Sequence, residues 1–167
     1  MKKINVKTII LTFTVVLIIS VISCTNPAKK YEEQEASMIQ DYLTSNPTKE
    51  FQLQPSGLYY LETKAGTGRT VTKFDTAYVK YSGKFLNGAE FDTNIGTTDT
   101  LIFLVDGGNL ILGIEEGIHY MKEGGKATLL IPSKLAWGPT GDYYVIPGYA
   151  PVLFDLELVK LKAGPNK

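Results

Sequence analysis

Residues 110–121, which read LILGIEEGIHYM, decide the fold class of this chain. Apolar side chains recur there at three- and four-residue spacing, which predicts a short helix with one apolar face. Glycine pairs at 107–108 and 124–125 bound the segment, as expected for the ends of a helix. The residues of the apolar face are Leu110, Ile111, Ile114, Ile118 and Met121.

Short β-branched and aromatic runs, separated by Gly, Asn and Asp, lie on both sides of this helix and are typical of strands. Asn87-Gly88 is a turn signal of the kind that joins antiparallel strands. One helix against several such strands predicts an α+β fold in which the helix covers a curved antiparallel sheet and leaves an apolar cleft. The predicted strands are 57–63, 76–85, 100–105, 128–132 and 152–161.

The scarce residue types exclude several classes of function. A single Cys excludes an intramolecular disulfide, and one Cys with one His leaves too few ligands for a Cys/His zinc site. Zero net charge argues against a nucleic-acid partner. His119 falls at a polar helical position and is expected to be solvated. The glycine pairs lack the spacing of a phosphate loop. Together with the scarcity of Cys and His, this predicts neither a metal nor a cofactor.

The N-terminus is typical of an export signal. Lys2, Lys3 and Lys7 precede an uncharged apolar stretch at 8–23, which is shorter than the ~20 residues of a membrane-spanning helix. Cys24 follows at once and resembles the acylated cysteine of a bacterial lipobox. We therefore expect a signal peptide at 1–23 and a lipoprotein with acyl chains such as palmitate on Cys24. An uncleaved hydrophobic anchor is the alternative.

The segment after Cys24 is expected to connect a lipid anchor to the globular body. Thr25 replaces the Asp that retains some lipoproteins at the inner membrane, which favours the outer membrane, with the domain in the periplasm of the cell envelope. Residues 24–30 are predicted to be a lipidated flexible tether. Residues 31–56 form a spacer, in which 31–45 carries an apolar stripe on an acidic helix. That stripe could pack on the following domain, on a second copy or on a client.

Six short motifs occur in order along the strand-rich body. They read VKYSG at 79–83, NGAEFDT at 87–93, LILGIEEG at 110–117, MKEG at 121–124, IPSKLAWG at 131–138, and VIP at 145–147 followed by FDLEL at 154–158. Together they resemble the FKBP-type peptidyl-prolyl isomerases over residues 57–162, which leaves 163–167 as a tail. The resemblance implies a sheet of five to six strands wrapped around one short helix, with an N-terminal helical extension and an active pocket between helix and sheet.

The same resemblance implies which residues form the pocket. It assigns the catalytic positions to Tyr81, Phe91, Asp92 and Trp137. The substrate-binding positions would be Leu101, Phe103, Leu110, Ile111, Ile114, Val145, Ile146 and Phe154. Three of these residue types depart from the family pattern: Ile114 replaces a Trp on the pocket floor, Leu101 replaces a Phe, and Trp137 replaces a Tyr.

The implied function is rotamase activity that assists the folding of exported proteins at X–Pro bonds. Rotation about an amide breaks no bond, so a dry, apolar pocket suits it better than a nucleophile or a metal. Proline-containing polypeptides are the expected partners, and a macrolide is a further candidate ligand. Two alternatives stay open: a lipid-anchored polypeptide-binding chaperone with weak or no isomerase activity, and a structural accessory of an envelope machine.

Overall fold

The computed structural model describes residues 26–164. The expected signal peptide and the lipid-bearing Cys24 lie outside the described residues. Within 26–164 there is no helix of sufficient length and hydropathy to cross a bilayer. The described part of the chain also contains no cluster of three or more metal-ligating side chains.

The described residues form one antiparallel sheet of seven strands and two helices. The strands are β1 Gln52–Leu53, β2 Tyr59–Lys64, β3 Thr76–Phe85, β4 Glu90–Thr93, β5 Leu101–Leu104, β6 Lys126–Ile131 and β7 Val152–Lys162. The helices are α1 Pro27–Ser45 and α2 Leu112–His119, and a 3₁₀ turn spans Ser133–Leu135.

The strand order is β1-β2-β6-β7-β3-β4, with β5 also paired to β3. Because β7 pairs with β3 from Thr76 to Phe85, strands β4 and β5 must share the opposite edge of β3. The α+β prediction, with a short helix against an antiparallel sheet, is confirmed. The described sheet has seven strands instead of five to six, because the short edge strands β1 and β4 add to the five predicted runs.

Helix α2 packs closely on β6 because two glycines face the strand. A Cβ at Gly113 would lie 2.4 Å from Cγ2 of Ile131, and one at Gly117 would lie 2.5 Å from Cδ1 of Leu129. Any larger residue would push the helix away from the sheet. The main core lies on this face and includes Ile114 and Ile118 of the helix.

Helix α1 begins earlier than predicted. Asn26 caps it by accepting a hydrogen bond from the Ala28 amide at 3.1 Å, and Pro27 occupies the first turn, where its missing N–H costs nothing. Residues 27–30, predicted to be part of a flexible tether, are therefore helical in the structure.

The apolar stripe of α1 packs on its own domain, on the sheet face opposite α2. Side chains alternate between the two faces of a strand, so Leu130 and Leu153 point away from the main core to which Leu129 and Phe154 belong. Ile39 of α1 is buried against Leu130 and Leu153. Of the three alternatives for this stripe, the structure therefore shows packing on the following domain of the same chain. The further members of this second cluster are Tyr42, Leu43, Phe51, Tyr59 and Leu86.

Candidate functional site

A cavity of about 450 Å³ opens between α2 and the sheet. The structure brings together eleven of the twelve residues predicted to form the pocket, although their roles stay predictions. They are Tyr81, Phe91, Asp92, Leu101, Leu110, Ile111, Ile114, Trp137, Val145, Ile146 and Phe154. Two further residues that sequence reasoning missed, Asn109 and Asp142, also line the cavity.

Strand pairing places two aromatic rings of the cavity beside one glycine. Gly83 on β3 pairs with Asp92 on β4 and with Phe154 on β7, so Phe91 and Phe154 flank it from both sides. A Cβ at Gly83 would lie 2.6 Å from Cε2 of Phe91 and 3.1 Å from Cε1 of Phe154. The absence of a side chain at Gly83 is what lets both rings occupy this corner.

Three aromatic side chains form mutually packed walls. Phe91 meets Trp137 edge to face, with ring centroids 6.0 Å apart, and meets Phe154 in the same way at 5.8 Å. Trp137 and Phe154 are stacked at 6.3 Å. Edge-to-face and offset arrangements are the favoured geometries of aromatic pairs. The walls are therefore apolar surfaces whose orientations fix one another.

One polar pair interrupts this apolar surface. The Tyr81 hydroxyl donates a hydrogen bond of 2.6 Å to Oδ2 of Asp92. Burial raises the pKa of Tyr81 to about 12, with the hydrogen bond to Asp92 and its negative charge acting in the same direction. The phenol is thus a neutral donor at physiological pH, and the carboxylate at the cavity edge has one oxygen engaged.

The segment before α2 brings Leu110 to the cavity. The buried Glu115 carboxylate accepts hydrogen bonds from the amides of Asp106 at 2.9 Å and Gly108 at 3.1 Å. These bonds fix the turn that leads into Asn109 and Leu110. His119 is exposed to solvent, as predicted. It also lies 2.8 Å from the Asp106 carboxylate and is not among the cavity-lining residues.

A turn at 142–146 forms the rim of the cavity. Oδ1 of Asp142 accepts hydrogen bonds from the amides of Tyr144, Val145 and Ile146 at 2.9, 2.8 and 2.7 Å. These N–H donors, that of Tyr144 first, stabilise the carboxylate and lower the pKa of Asp142. Tyr143 and Tyr144 are 83% and 94% exposed, so the rim presents aromatic surface to solvent beside the cavity mouth.

The prediction that Phe103 lines the cavity does not match the structure. Leu101 pairs with Val79 on β3, whereas Phe103 pairs with Ala77, further from Tyr81 along the strand. Phe103 is 6% exposed and belongs to the main core. It is not one of the residues that line the cavity.

Comparison with known proteins finds the same family along most of the strand-rich body. Residues 67–159 match the family model described as FKBP-type peptidyl-prolyl cis-trans isomerase. The chain is 38% identical over 114 residues to the isomerase FkpA of Escherichia coli strain K12, a match that covers 66% of this chain and 40% of FkpA. It is 36% identical over 105 residues to a Neisseria meningitidis FK506-binding protein, covering 63% of this chain and 96% of that protein.

Solved structures show the same similarity. The crystal structure of E. coli FkpA superposes with a TM-score of 0.72 at 30% identity, covering 98% of this chain and 76% of that one. The crystal structure of AtFKBP13 gives 0.63 at 34% identity, over 68% of this chain and 99% of that one. The chain spans about 40% of the length of the FkpA sequences that it matches.

Proposed function

Because the chain belongs to the family of FKBP-type peptidyl-prolyl cis-trans isomerases, we propose that its cavity catalyses rotation about X–Pro bonds in polypeptides. The observation that carries the proposal is the convergence of Tyr81, Phe91, Asp92 and Trp137 on one mostly apolar cavity between α2 and the sheet. Concave apolar sites with a few placed polar groups are typical of small-ligand and substrate binding.

The chemistry needs no reactive side chain. Amide resonance gives the X–Pro bond a barrier of ~18–20 kcal/mol, and uncatalysed isomerisation takes ~10–100 s. Twisting removes the resonance, so the twisted amide is less dipolar than the planar one. A site that excludes water therefore stabilises the twisted form relative to the planar form. Each ~1.4 kcal/mol of such preference increases the rate tenfold.

The three packed rings are proposed to receive the proline ring. Phe91, Trp137 and Phe154 present fixed faces and edges, so binding does not require them to reorganise. Asp92, held by Tyr81, is proposed to face the twisted carbonyl and to act electrostatically instead of as an acid or a base. The indole N–H of Trp137 is the proposed donor to a substrate carbonyl.

A macrolide is the second proposed ligand of the same cavity. The similar Neisseria meningitidis protein is described as an FK506-binding protein, and the cavity volume of about 450 Å³ is within the range of drug-sized sites. Ile114 closes the floor with a smaller surface than a Trp would provide. The proposal therefore includes inhibition of the isomerase activity by FK506, with weaker binding than in family members that have an aromatic floor.

The protein is further proposed to act on exported polypeptides from a lipid anchor on Cys24. Support comes from the basic and apolar segment that precedes this cysteine. Two or more acyl chains hold a protein stably on a bilayer, whereas one binds only marginally. Replacing Cys24→Ser should release the protein from the membrane fraction. Its retention there would favour an uncleaved hydrophobic anchor.

A protease-coupled assay on a proline-containing peptide tests the catalytic proposal. We expect the protein to accelerate isomerisation in proportion to its concentration, and Phe91→Ala to reduce kcat/KM by at least tenfold because it removes one wall. Leu53→Ala, a change at a 61% exposed residue on the edge strand β1, is the matched control and should leave the rate unchanged. A rate equal to the uncatalysed background would overturn the proposal.

A further inference from the structure

A carboxylate on α1 holds a residue of the loop that carries Trp137. Glu35 accepts hydrogen bonds from both donors of Ser133: the backbone amide bonds to Oε1 at 2.5 Å and the hydroxyl bonds to Oε2 at 2.7 Å. Ser133 is only 4% exposed. Hydrogen bonds to a charged acceptor in a buried setting are stronger than those between neutral groups.

The backbone carbonyl of Ser133 holds the two residues that flank Trp137 in the sequence. The Ser133 carbonyl accepts hydrogen bonds from the amides of Ala136 at 2.9 Å and Gly138 at 2.8 Å. Trp137 lies between these two anchored residues. The position of the indole therefore depends on Ser133, and the position of Ser133 depends on Glu35.

A second contact connects α1 to the other end of the same loop. Tyr31 of α1 stacks on Tyr149, with ring centroids 5.2 Å apart and an interplanar angle of 16°. The amide of Tyr149 donates a hydrogen bond of 2.9 Å to the carbonyl of Gly138. Both contacts of α1 thus converge on the backbone next to Trp137.

Apolar packing does not fill the seam between α1 and this loop. A groove of about 460 Å³ separates the helix from residues 132–139, and its lining includes Ala36 and Ile39 on one side and Pro132 and Pro139 on the other. The contacts of Glu35 and Tyr31 therefore bridge a gap. Removing them would let the loop shift relative to the helix, because little packed surface opposes the shift.

We propose that Glu35 is a positioning residue of the isomerase site, which fixes the Trp137 indole through Ser133. The inference rests on the proposed isomerase function. It gives Glu35 of α1, a helix that precedes the segment matched by the family model, a role in positioning the loop that carries Trp137. Small displacements of a group that contacts the substrate reduce rates strongly, since catalysis depends on preformed geometry.

The test uses the full-length chain, because Trp137 is its only tryptophan and reports the loop directly. Glu35→Ala should shift the Trp137 fluorescence emission to longer wavelength, increase its quenching by acrylamide and reduce kcat/KM by about three- to tenfold. Glu35→Gln keeps an acceptor for the Ser133 amide and should restore most of both signals. Glu33→Ala on the same helix is the control, since Glu33 is 69% exposed and pairs only at the surface with Lys29.

Unchanged emission and unchanged kcat/KM in Glu35→Ala would overturn the inference. This holds even if the unfolding midpoint of the variant is lower, because Glu35 would then stabilise the fold without positioning Trp137. Should Glu35→Ala not fold, Tyr31→Ala and Glu35→Gln decide. Tyr31→Ala removes the other contact of α1 with this loop, and Glu35→Gln weakens the hydrogen bonds to Ser133, so both variants should shift the emission and lower kcat/KM relative to Glu33→Ala, Glu35→Gln by less. Emission and kcat/KM equal to those of Glu33→Ala in both variants would contradict the proposal. An inactive wild type would refute the isomerase function alone, because the emission shift still tests whether Glu35 positions Trp137.

Discussion

The hydrogen bond between Tyr81 and Asp92 should couple the two residues in catalysis. Tyr81→Phe removes the hydroxyl that donates to Asp92 at 2.6 Å and leaves the ring in contact with Phe154, whose centroid is 6.0 Å away. Asp92→Ala removes the acceptor. If the hydroxyl acts only by holding the carboxylate, the Tyr81→Phe change should have little further effect once the carboxylate is absent.

The size of the coupling follows from the exposure of the pair. A hydrogen bond to a charged group contributes about 1.5–3 kcal/mol when it is buried, but water competes at the exposed Asp92, so we expect about 1 kcal/mol. Tyr81→Phe should then reduce kcat/KM about fivefold in the wild-type background. In the Asp92→Ala background, the same change should reduce kcat/KM less than twofold.

A double-mutant cycle measured by isomerase kcat/KM decides this prediction. Tyr78→Phe on the same strand is the matched control, since Tyr78 lies under the Lys160 ammonium, away from the cavity. Its kcat/KM should equal that of the wild type. Additive effects of Tyr81→Phe and Asp92→Ala would refute the reasoning, because they would mean that the two residues act separately.

Changes at two further positions test other parts of the site, and a pH titration tests the pKa shifts of two tyrosines. Gly83→Ala places a methyl group 2.6 Å from the Phe91 ring. We therefore expect kcat/KM to fall at least tenfold and the free energy of unfolding, measured by denaturant titration, to fall by about 1–3 kcal/mol. Wild-type activity in this variant would contradict the prediction. Asp142→Ala removes the acceptor that holds the rim turn, so it should narrow the differences in kcat/KM among peptides that vary in the residue before proline. Asp142→Asn keeps an acceptor oxygen and should preserve these differences. The prediction would be contradicted if Asp142→Ala had the same peptide preferences as the wild type. Burial raises the pKa values of Tyr60 and Tyr81 to about 12. Each of the two phenols should therefore stabilise the fold fully below the ordinary tyrosine pKa near 10, and this contribution should be lost as the pH rises through about 12. In an absorbance titration of the folded protein, both should ionise at higher pH than an ordinary tyrosine, and ionisation of all ten tyrosines near pH 10 would contradict this prediction.

Periodicity and turn chemistry were sufficient to predict the main elements of the body. Helix α2 and the strands β2, β3, β5, β6 and β7 have clear apolar patterns because each buries one face or both. Strands β1 and β4 were not predicted from the sequence because they are short and contain no fully buried residue. Their formation depends on pairing with longer strands elsewhere in the sheet. The early start of α1 was readable from Asn26 followed by Pro27, an N-cap signal that the polar composition obscured.

The lining of the cavity was predictable only through the resemblance to a family. Apolar residues such as Phe154 look like ordinary core residues when taken singly, and only the order of the motifs places them together. Asp142 was missed because it acts on the backbone of its own turn; its position after Gly141 at a turn was the available signal. The Glu35–Ser133 contact joins residues 98 positions apart, and no local pattern reveals it.

The central claim is that this cavity catalyses isomerisation and does not merely bind proline-containing chains. Exchange spectroscopy by NMR on a short proline peptide measures cis–trans interconversion at equilibrium, without a coupling protease. With a catalytic amount of protein, we predict cross-peaks between the cis and trans forms that weaken markedly in Asp92→Ala. Peptide binding to the cavity with interconversion no faster than the uncatalysed rate would contradict the claim and identify the protein as a binding module.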